Sequence, residues 1–340
     1  LSEPNMDERQ LALIRRLSDG CAHSGQAIAR EFGLTRAAVW KTLRKTADAF
    51  GLDLISERGR GYRLTTPLEL LDDWRIRATL SELGRERLSR LDIHPVIDST
   101  NRELMRLAAE GAPSGSVCLA ERQTAGRGRR GREWVSPFGV NVYLSLLWRY
   151  PFAPSNLGGV SLAIGAVLAE VLNDIDPEGV DVALKWPNDL LWRRRKLAGL
   201  LLEVAGESQG PCHLVVGLGL NLRMTAGQGG AIDQPWASLE EVLGDGFMVE
   251  RNALVSCLLD AFMDALDHYG REGLAPFLPL WRAHDAYLGE PVRLLIGEWV
   301  IEGIHAGVGE DGSLLLDTPD GRRAFQAGEV SLRPLESEVQ

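Results

Sequence analysis

A chain of 340 residues with 45% hydrophobic side chains can bury a sizeable core, and at ~150 residues per domain it suggests two or three domains. A formal net charge of -10 and a pI of about 5.2 exclude a protein that coats nucleic acid indiscriminately. The charge is uneven: residues 1–66 hold 11 Lys+Arg against 8 Asp+Glu, and the remainder holds 26 against 39. A basic N-terminal part on an acidic body points to a separate task for that part. The four cysteines are far apart without a C-x-x-C pair, and the six histidines lack ligand spacing. A metal cage or disulfide framework is not expected, and a reducing cytosol fits best. No run of ~18 unbroken apolar residues and no signal-peptide pattern is visible, so a cytoplasmic protein without membrane contact is expected.

Residues 7–19 place Leu11, Ile14 and Leu17 at helical spacing. Residues 24–31 read as a second helix capped by Ser24, Phe32-Gly33-Leu34 as a tight turn, and Thr35 as the cap of a third helix to Phe50. That is a helix-turn-helix layout. Residues 52–58 and 62–64, around Gly59-Arg60-Gly61, read as a hairpin or wing. Arg36, Lys41, Arg44 and Lys45 on the third helix and Arg58, Arg60 and Arg63 on the wing are the candidate DNA contacts. Trp40 reads as core. The competing reading is a small helical domain used only for packing. Thr65-Thr66-Pro67 marks a boundary, followed by a helical stretch over 68–92 with Leu68, Leu71, Ile76 and Leu80 inward.

The spacing predicts a strand over 94–98, then Ser99-Thr100-Asn101 and a helix over 102–110. A helix cap needs one small polar residue; three in a row can also present donors and acceptors to a neutral polar ligand. A strand over 116–121 leads through Gln123 and Thr124 into Gly126-Arg127-Gly128-Arg129-Arg130-Gly131-Arg132, then Glu133-Trp134. Arginine forks fit phosphate or carboxylate, and glycine lets backbone approach a ligand and move. The stretch matches the dinucleotide pattern G-x-G-x-x-G, but a β-type run over 140–148 follows where that fold requires a helix. A clamp over an anionic ligand remains, against a solvated basic loop or nucleic-acid patch.

Residues 156–174 read as a buried apolar helix. Strands over 182–186, 190–192, 196–204 and 213–221 follow, separated by Pro187-Asn188-Asp189 and Arg193-Arg194-Arg195. Lys185, inside an apolar strand beside Trp186, must meet an anion, either a protein carboxylate or a ligand phosphate. Asn188 and Asp189 offer oxygen ligands of the kind that hold Mg2+ near phosphates. Trp236, after a Gly/Gln-rich loop over 223–235, is either a core anchor or a lid over a flat ring. Helices over 250–270 and 273–287 precede five short strands (291–296, 299–304, 313–317, 324–326 and 330–333), which suggest a small β-barrel.

Asp98-Ser99-Thr100-Asn101, Gln123-Thr124-Ala125 with the arginine loop and Trp134, Lys185–Asp189, Lys196-Leu197-Ala198-Gly199 and Gly217–Asn221 carry a resemblance along essentially the whole chain. The chain resembles the biotin–protein ligases, in particular the bifunctional bacterial type that doubles as the biotin operon repressor. The resemblance implies an α+β protein of three domains: a winged helix-turn-helix over 1–66, a mixed-sheet ligase domain of the biotin/lipoate ligase type over 67–287, and an SH3-like barrel over 288–340. It implies ATP with Mg2+, biotin as substrate, biotinyl-5′-AMP as intermediate and corepressor, a biotin carboxyl carrier protein and operator DNA as partners, and a homodimer when adenylate is bound.

By the same resemblance, Ser99, Thr100, Asn101 and Gln123, with backbone from Arg127 through Gly128 to Arg129, bind the biotin head. Arg129 and Lys196 contact the adenylate phosphate and carboxylate. Lys185 and Arg132 meet ATP phosphates, Asp189 the metal region, and Asn221 and Trp236, with Trp134 and Asn188, the nucleotide side. Lys196, Arg129 and Lys185 are the candidate catalytic residues. The rival readings are a ligand-sensing transcription factor without ligase activity and a ligase for another carboxylate such as lipoate.

Overall fold

The computed structural model describes residues 6–176, 180–244, 249–327 and 330–335; the outermost stretches of the first and last expected domains, 1–5 and 336–340, lie outside the described residues. The N-terminal unit contains α1 (Glu8–Leu17), α2 (Gly25–Glu31), α3 (Arg36–Phe50), β1 (Leu54–Glu57) and β2 (Gly61–Leu64). Asp7 and Gln10 close a capping box on α1, and Thr35 Oγ1 accepts from the Ala38 N–H at the start of α3. Gly51 ends α3 at φ 65°, a left-handed conformation that glycine adopts without a Cβ penalty. Ser24 precedes α2 as expected, although its side chain makes no cap hydrogen bond. Leu13, Ile14, Leu17, Ile28, Val39, Leu43 and Phe50 form one core beneath the antiparallel β1–β2 hairpin.

The expected helical stretch over 68–92 is split. Leu80 leaves helical geometry at ψ 146° and Ser81 caps the next helix, giving α4 (Asp73–Thr79) and α5 (Glu82–Arg87). Leu71, Ile76 and Leu80 are buried as expected. The strand expected over 94–98 runs earlier, as β3 (Arg90–His94). Pro95 lacks the N–H a ladder needs, and Ile97 keeps only an isolated bridge to Gln123. Then come α6 (Thr100–Ala109), β4 (Ser116–Ala120), β5 (Val142–Tyr150), α7 (Val160–Asn173), β6 (Val182–Lys185), β7 (Asp189–Trp192), β8 (Arg195–Gly206) and β9 (Cys212–Leu220). They are followed by α8 (Leu239–Leu243), α9 (Arg251–Glu272) and α10 (Leu278–Ala283). The helix expected over 273–287 is reduced to a 3-10 turn at Ala275–Phe277 and α10, because Pro276 and Pro279 restart the backbone twice.

The central sheet has seven strands in the order β3-β4-β5-β9-β8-β7-β6, parallel only between β3 and β4. Side-chain alternation gives it two apolar faces. Cys118, Leu147 and Val215 pack on α6, while Val117, Leu146 and Val216 belong to the main core with α7 and α9. The stretch Pro154–Asn173 is long and apolar enough to cross a membrane, but it packs against β6, β7, β8 and α9 as a core helix. The last unit is a five-stranded antiparallel sheet of β10 (Pro291–Ile296), β11 (Trp299–Val308), β12 (Leu314–Thr318), β13 (Gly321–Phe325) and β14 (Val330–Pro334), in the order β13-β12-β11-β10-β14.

The units are tied by specific contacts. Glu121, one residue past β4, accepts from Arg251 Nη1 at 2.5 Å and from the Leu71 N–H at 2.6 Å; the Arg251 and Glu121 side chains are 0% and 3% exposed. Phe138 joins the N-terminal core, 5.2 Å from the Phe50 ring. Trp186 Nε1 donates to Gly312 O, in the β11–β12 turn of the last unit, at 3.1 Å. Breaking a buried pair from one side leaves an uncompensated charge, at a cost of ~3–5 kcal/mol. Arg251→Leu should therefore lower the urea midpoint by an amount equivalent to that loss. An unchanged midpoint would show that the pair adds nothing to stability.

Candidate active site

One cleft of about 960 Å3, counting the space open to solvent, is lined by β5, β6, β8 and β9 together with the arginine loop. It brings together Ser99, Thr100, Asn101, Gln123, Arg127, Gly128, Arg129, Arg132, Trp134, Lys185, Asn188, Asp189 and Lys196. These positions are spread over nearly a hundred residues of sequence. The strand order, which inserts β9 between β5 and β8, makes them neighbours.

At one end the cleft is neutral and polar. Ser99 caps α6, which turns Thr100 and Asn101 into its buried first turn. The Thr100 N–H and hydroxyl both donate to Gln123 Oε1, at 2.9 and 3.1 Å, so the Gln123 amide nitrogen is the end left toward the loop. Asn101 Oδ1 accepts from Ser145 Oγ at 2.6 Å. The strand glycines make room for these groups. A Cβ on Gly217 would lie 2.1 Å from Asn101 Oδ1, and one on Gly219 2.3 Å from the Trp134 indole. Trp134 lies across Gly199 and Gly219, and its buried indole N–H has no acceptor among the described residues.

At the other end the cleft is cationic. Seven arginine and lysine side chains line it against two carboxylates, Glu133 and Asp189. Lys196 Nζ lies 2.7 Å from Asp189 Oδ1, with each side chain 16% exposed, and 5.3 Å from the centre of the Trp134 ring. Lys185 is the cross-strand neighbour of Asp189. Arg129 donates to Asn188 Oδ1 at 3.2 Å and to Ala327 O of the last unit. Burial alone would raise the Asp189 carboxyl, but Lys196 and Lys185 outweigh it and hold the group below the usual carboxylate range. Burial pushes Lys185 down to about 8, with Asp189 opposing the shift. The expected loop geometry is present: the arginine loop makes only a 3-10 turn at Arg129–Gly131 and runs on toward β5, with no helix to receive a pyrophosphate.

No group of three metal-ligating side chains occurs among the described residues. Asp189 is a single carboxylate already engaged by a lysine. This donor set does not build a protein cage for Mg2+; it fits only an ion carried in on ligand phosphates, the usual habit of that metal.

Two predicted residues lie elsewhere. Asn221 is buried, and its Nδ2 donates to Ala237 O at 3.2 Å. Trp236 packs against Gly229, because Lys196 N–H to Pro235 O and Ala237 N–H to Lys196 O bind the backbone around it to the start of β8. Trp236 is thus an anchor in this conformation rather than a lid. Sequence reasoning missed Arg333, which reaches the cleft from β14, and the buried Ser145. The only sequence signal for Arg333 was its alternation with the buried Leu332.

On the N-terminal unit, Arg36, Lys41, Arg44 and Lys45 are exposed on α3, and Arg58 and Arg60 at the hairpin tip. Arg63 is half-buried and paired with Glu57 at 2.5 Å, so it stabilises the hairpin. Trp40 is partly buried and stacks on Tyr62 at 5.2 Å.

The molecule thus combines a helix-turn-helix with a basic outer face and a ligand-activating domain whose cleft suits a substrate neutral and polar at one end and polyanionic at the other. Comparison with known proteins makes this specific. Residues 93–221 match the biotin/lipoate A/B protein ligase family, 287–333 the biotin protein ligase C-terminal domain, and 9–63 a helix-turn-helix domain. The bifunctional ligase/repressor BirA of Salmonella typhimurium is 40% identical over 326 residues, 96% of this chain and 98% of the relative; that of Escherichia coli shares the same figures. The biotin–[acetyl-CoA-carboxylase] ligase of Paracoccus denitrificans is 36% identical over 234 residues, 68% of this chain and 96% of the relative. The biotin protein ligase of Aquifex aeolicus, solved with biotin and ATP, aligns with a TM-score of 0.60 at 29% identity, covering 73% of this chain and all of that one. The chain belongs to the bifunctional biotin protein ligase/repressor family.

The Lys185 shift has a direct consequence. Its charged fraction falls as pH rises through about 8, so the affinity of the free protein for inorganic pyrophosphate should weaken between pH 7 and 9, and Lys185→Arg should flatten that dependence. Calorimetric titration at several pH values checks this; equal slopes for the two proteins would remove Lys185 from the phosphate site.

Proposed function

We propose that this protein joins biotin to ATP as biotinyl-5′-AMP with release of pyrophosphate, and then passes the biotinyl group to a lysine of a biotin carboxyl carrier protein, releasing AMP. The observation that carries this reading is the union, in one cleft, of a neutral hydrogen-bonding pocket and a strongly cationic end. No histidine or cysteine is among the residues lining it, which favours the substrate carboxylate itself as the nucleophile. Such a reaction needs a carboxylate brought against a polyanion, a task for fixed cations.

In this reading Ser99, Thr100, Asn101 and Gln123, with the backbone of Arg127, Gly128 and Arg129, hold the biotin head. Lys196 leaves Asp189 to neutralise the attacking carboxylate and the α-phosphate, and Arg129 closes on the same group. Lys185 and Arg132 take the remaining phosphates, while Trp134 offers a flat surface to the base, beside Asn188. Asn221 and Trp236 contribute only if the 223–236 loop rearranges around the nucleotide. Asp189, together with the phosphates of ATP, would hold Mg2+, which would supply charge neutralisation on those phosphates.

The exposed basic face of α3 and the hairpin tip suits operator DNA, with biotinyl-5′-AMP as corepressor and a homodimer presenting two helices to two half-sites. The functional divisions follow as 1–66 for DNA reading, 67–287 for ligation and 288–340 for the C-terminal sheet that reaches the cleft. Four unpaired cysteines accord with a cytoplasmic setting.

Incubation with ATP, biotin and a purified carrier domain tests the reading. Carrier labelling that requires both small molecules is expected; labelling with lipoate in place of biotin, or none with either, would overturn it. Lys196→Ala should lose ~3 kcal/mol of transition-state stabilisation, roughly a hundredfold in adenylate formation. Near-normal adenylation by that variant would remove Lys196 from the mechanism. Arg129→Gly should release the adenylate early and label bystander proteins; labelling confined to the carrier would contradict the clamp role.

A further inference from the structure

A polar chain runs beneath the cleft and joins the two arms of the arginine loop. On the first arm, Arg127 Nη1 lies 3.5 Å from Glu203 Oε1. Glu203 Oε2 accepts from Asn101 Nδ2 at 2.9 Å, and the other Asn101 N–H goes to Leu201 O at 3.1 Å. Asn101 Oδ1 takes the Ser145 hydroxyl at 2.6 Å, and the Ser145 and Thr100 oxygens are 2.8 Å apart. Thr100 in turn donates to Gln123 Oε1. Gln123 Nε2 donates to Ser136 Oγ at 3.4 Å, and the Ser136 hydroxyl to Trp134 O at 2.9 Å, on the second arm.

Most members of this chain are ambivalent. A hydroxyl can donate or accept, and an amide side chain can turn over. An ionised carboxylate can only accept. Together with Leu201 O, Glu203 therefore leaves Asn101 one orientation, with both N–H groups toward β8 and its oxygen toward Ser145. Glu203 also carries the negative charge that Arg127 faces. Its side chain is 26% exposed, against 46% for Arg127, so the pair sits at the margin of the pocket, where the loop can close or lift.

We propose that Glu203 is a positioning residue for biotin capture: it orients Asn101 in the head pocket and pins the first arm of the arginine loop through Arg127. The inference rests on the biotin reading above. Glu203 touches no reacting atom, so its loss should weaken capture of biotin while leaving the phosphate end of the cleft intact.

Glu203→Gln keeps the shape and removes the charge. Its KM for biotin should rise about tenfold, the effect of losing one charge-assisted contact, while kcat and the KM for ATP stay within about twofold. A second readout uses the loop itself, since its arginines are trypsin sites. Biotin at a concentration that protects the wild-type loop from trypsin should fail to protect the variant. Glu203→Asp, which keeps the charge on a shorter stem, should recover part of both effects, and it carries the test if Glu203→Gln fails to fold by circular dichroism. Unchanged biotin KM and unchanged protection in a folded Glu203→Gln would overturn the inference, as would an equal loss of ATP and biotin binding, the mark of a merely structural role. A wild-type protein that forms no adenylate from biotin would instead fail the underlying reading.

Discussion

The buried pair of Glu121 and Arg251 is the constraint on which the arrangement of the molecule depends. Removing two charges from water costs several kcal/mol per ion unless their remaining hydrogen-bonding capacity is filled. Here Glu121 also accepts from the Leu71 N–H, and Arg251 donates through Nε to Asn141 O and through Nη1 to Glu69 O, leaving only Nη2 without a partner among the described residues, so linker, sheet and α9 are locked at one point. The two residues after Glu121 inherit that fixed position. Arg122 donates to Ala49 O at the last turn of α3, at 3.1 Å, with its guanidinium 5.5 Å above the Phe50 ring. Gln123 faces the other way, into the cleft. Three consecutive residues thus serve the interior, the helix with the basic outer face and the ligand pocket. Phe138, beyond the far arm of the arginine loop, meets the same end of α3. The loop is therefore bracketed by contacts to the helix that presents the basic face.

The cleft is built for a charge it does not contain. Asp189 partly balances Lys196, Lys185 and Arg129, and it holds Lys196 in place. Bringing a triphosphate to this end replaces unfavourable cation–cation proximity with favourable pairs. In the proposed reaction a carboxylate held at the neutral end would meet a phosphorus already surrounded by positive charge. That is electrostatic preorganisation: the cations are fixed before the charge develops. The basic loop over the cleft and the basic face of α3 have the same composition but different tasks. The first lines the cleft on a glycine-bearing loop, and the second lies exposed on a helix.

Much of the architecture was legible because local physics and tertiary structure agree. Thr35, the Phe32-Gly33-Leu34 turn and the apolar spacing of Leu11, Ile14 and Leu17 suffice for the helix-turn-helix, and Trp134 followed by a β-type run suffices to reject a dinucleotide fold. The family resemblance then supplied roles that spacing alone could not. The failures are equally physical. The strand at β3 was misplaced because 94–98 is apolar but contains Pro95, which no ladder can use. The second C-terminal helix was too long because its apolar residues looked continuous across two prolines. Trp236 is oriented by backbone bonds at Pro235 and Ala237 that have no side-chain signature. Arg333 enters the cleft from a different unit, and Glu203 lies in the expected strand over 196–204 with no signal of its own. What each does depends on the packing of distant segments, which periodicity does not encode.

In the proposed first step the cationic end of the cleft activates a carboxylate held at the neutral end. Biotin-dependent exchange of labelled pyrophosphate into ATP, with no carrier protein present, measures that step in isolation. Rapid exchange is expected only when biotin is added, with loss of about two orders of magnitude in Lys196→Ala. Exchange without biotin, or none with it, would rule out activation of the biotin carboxylate in this cleft.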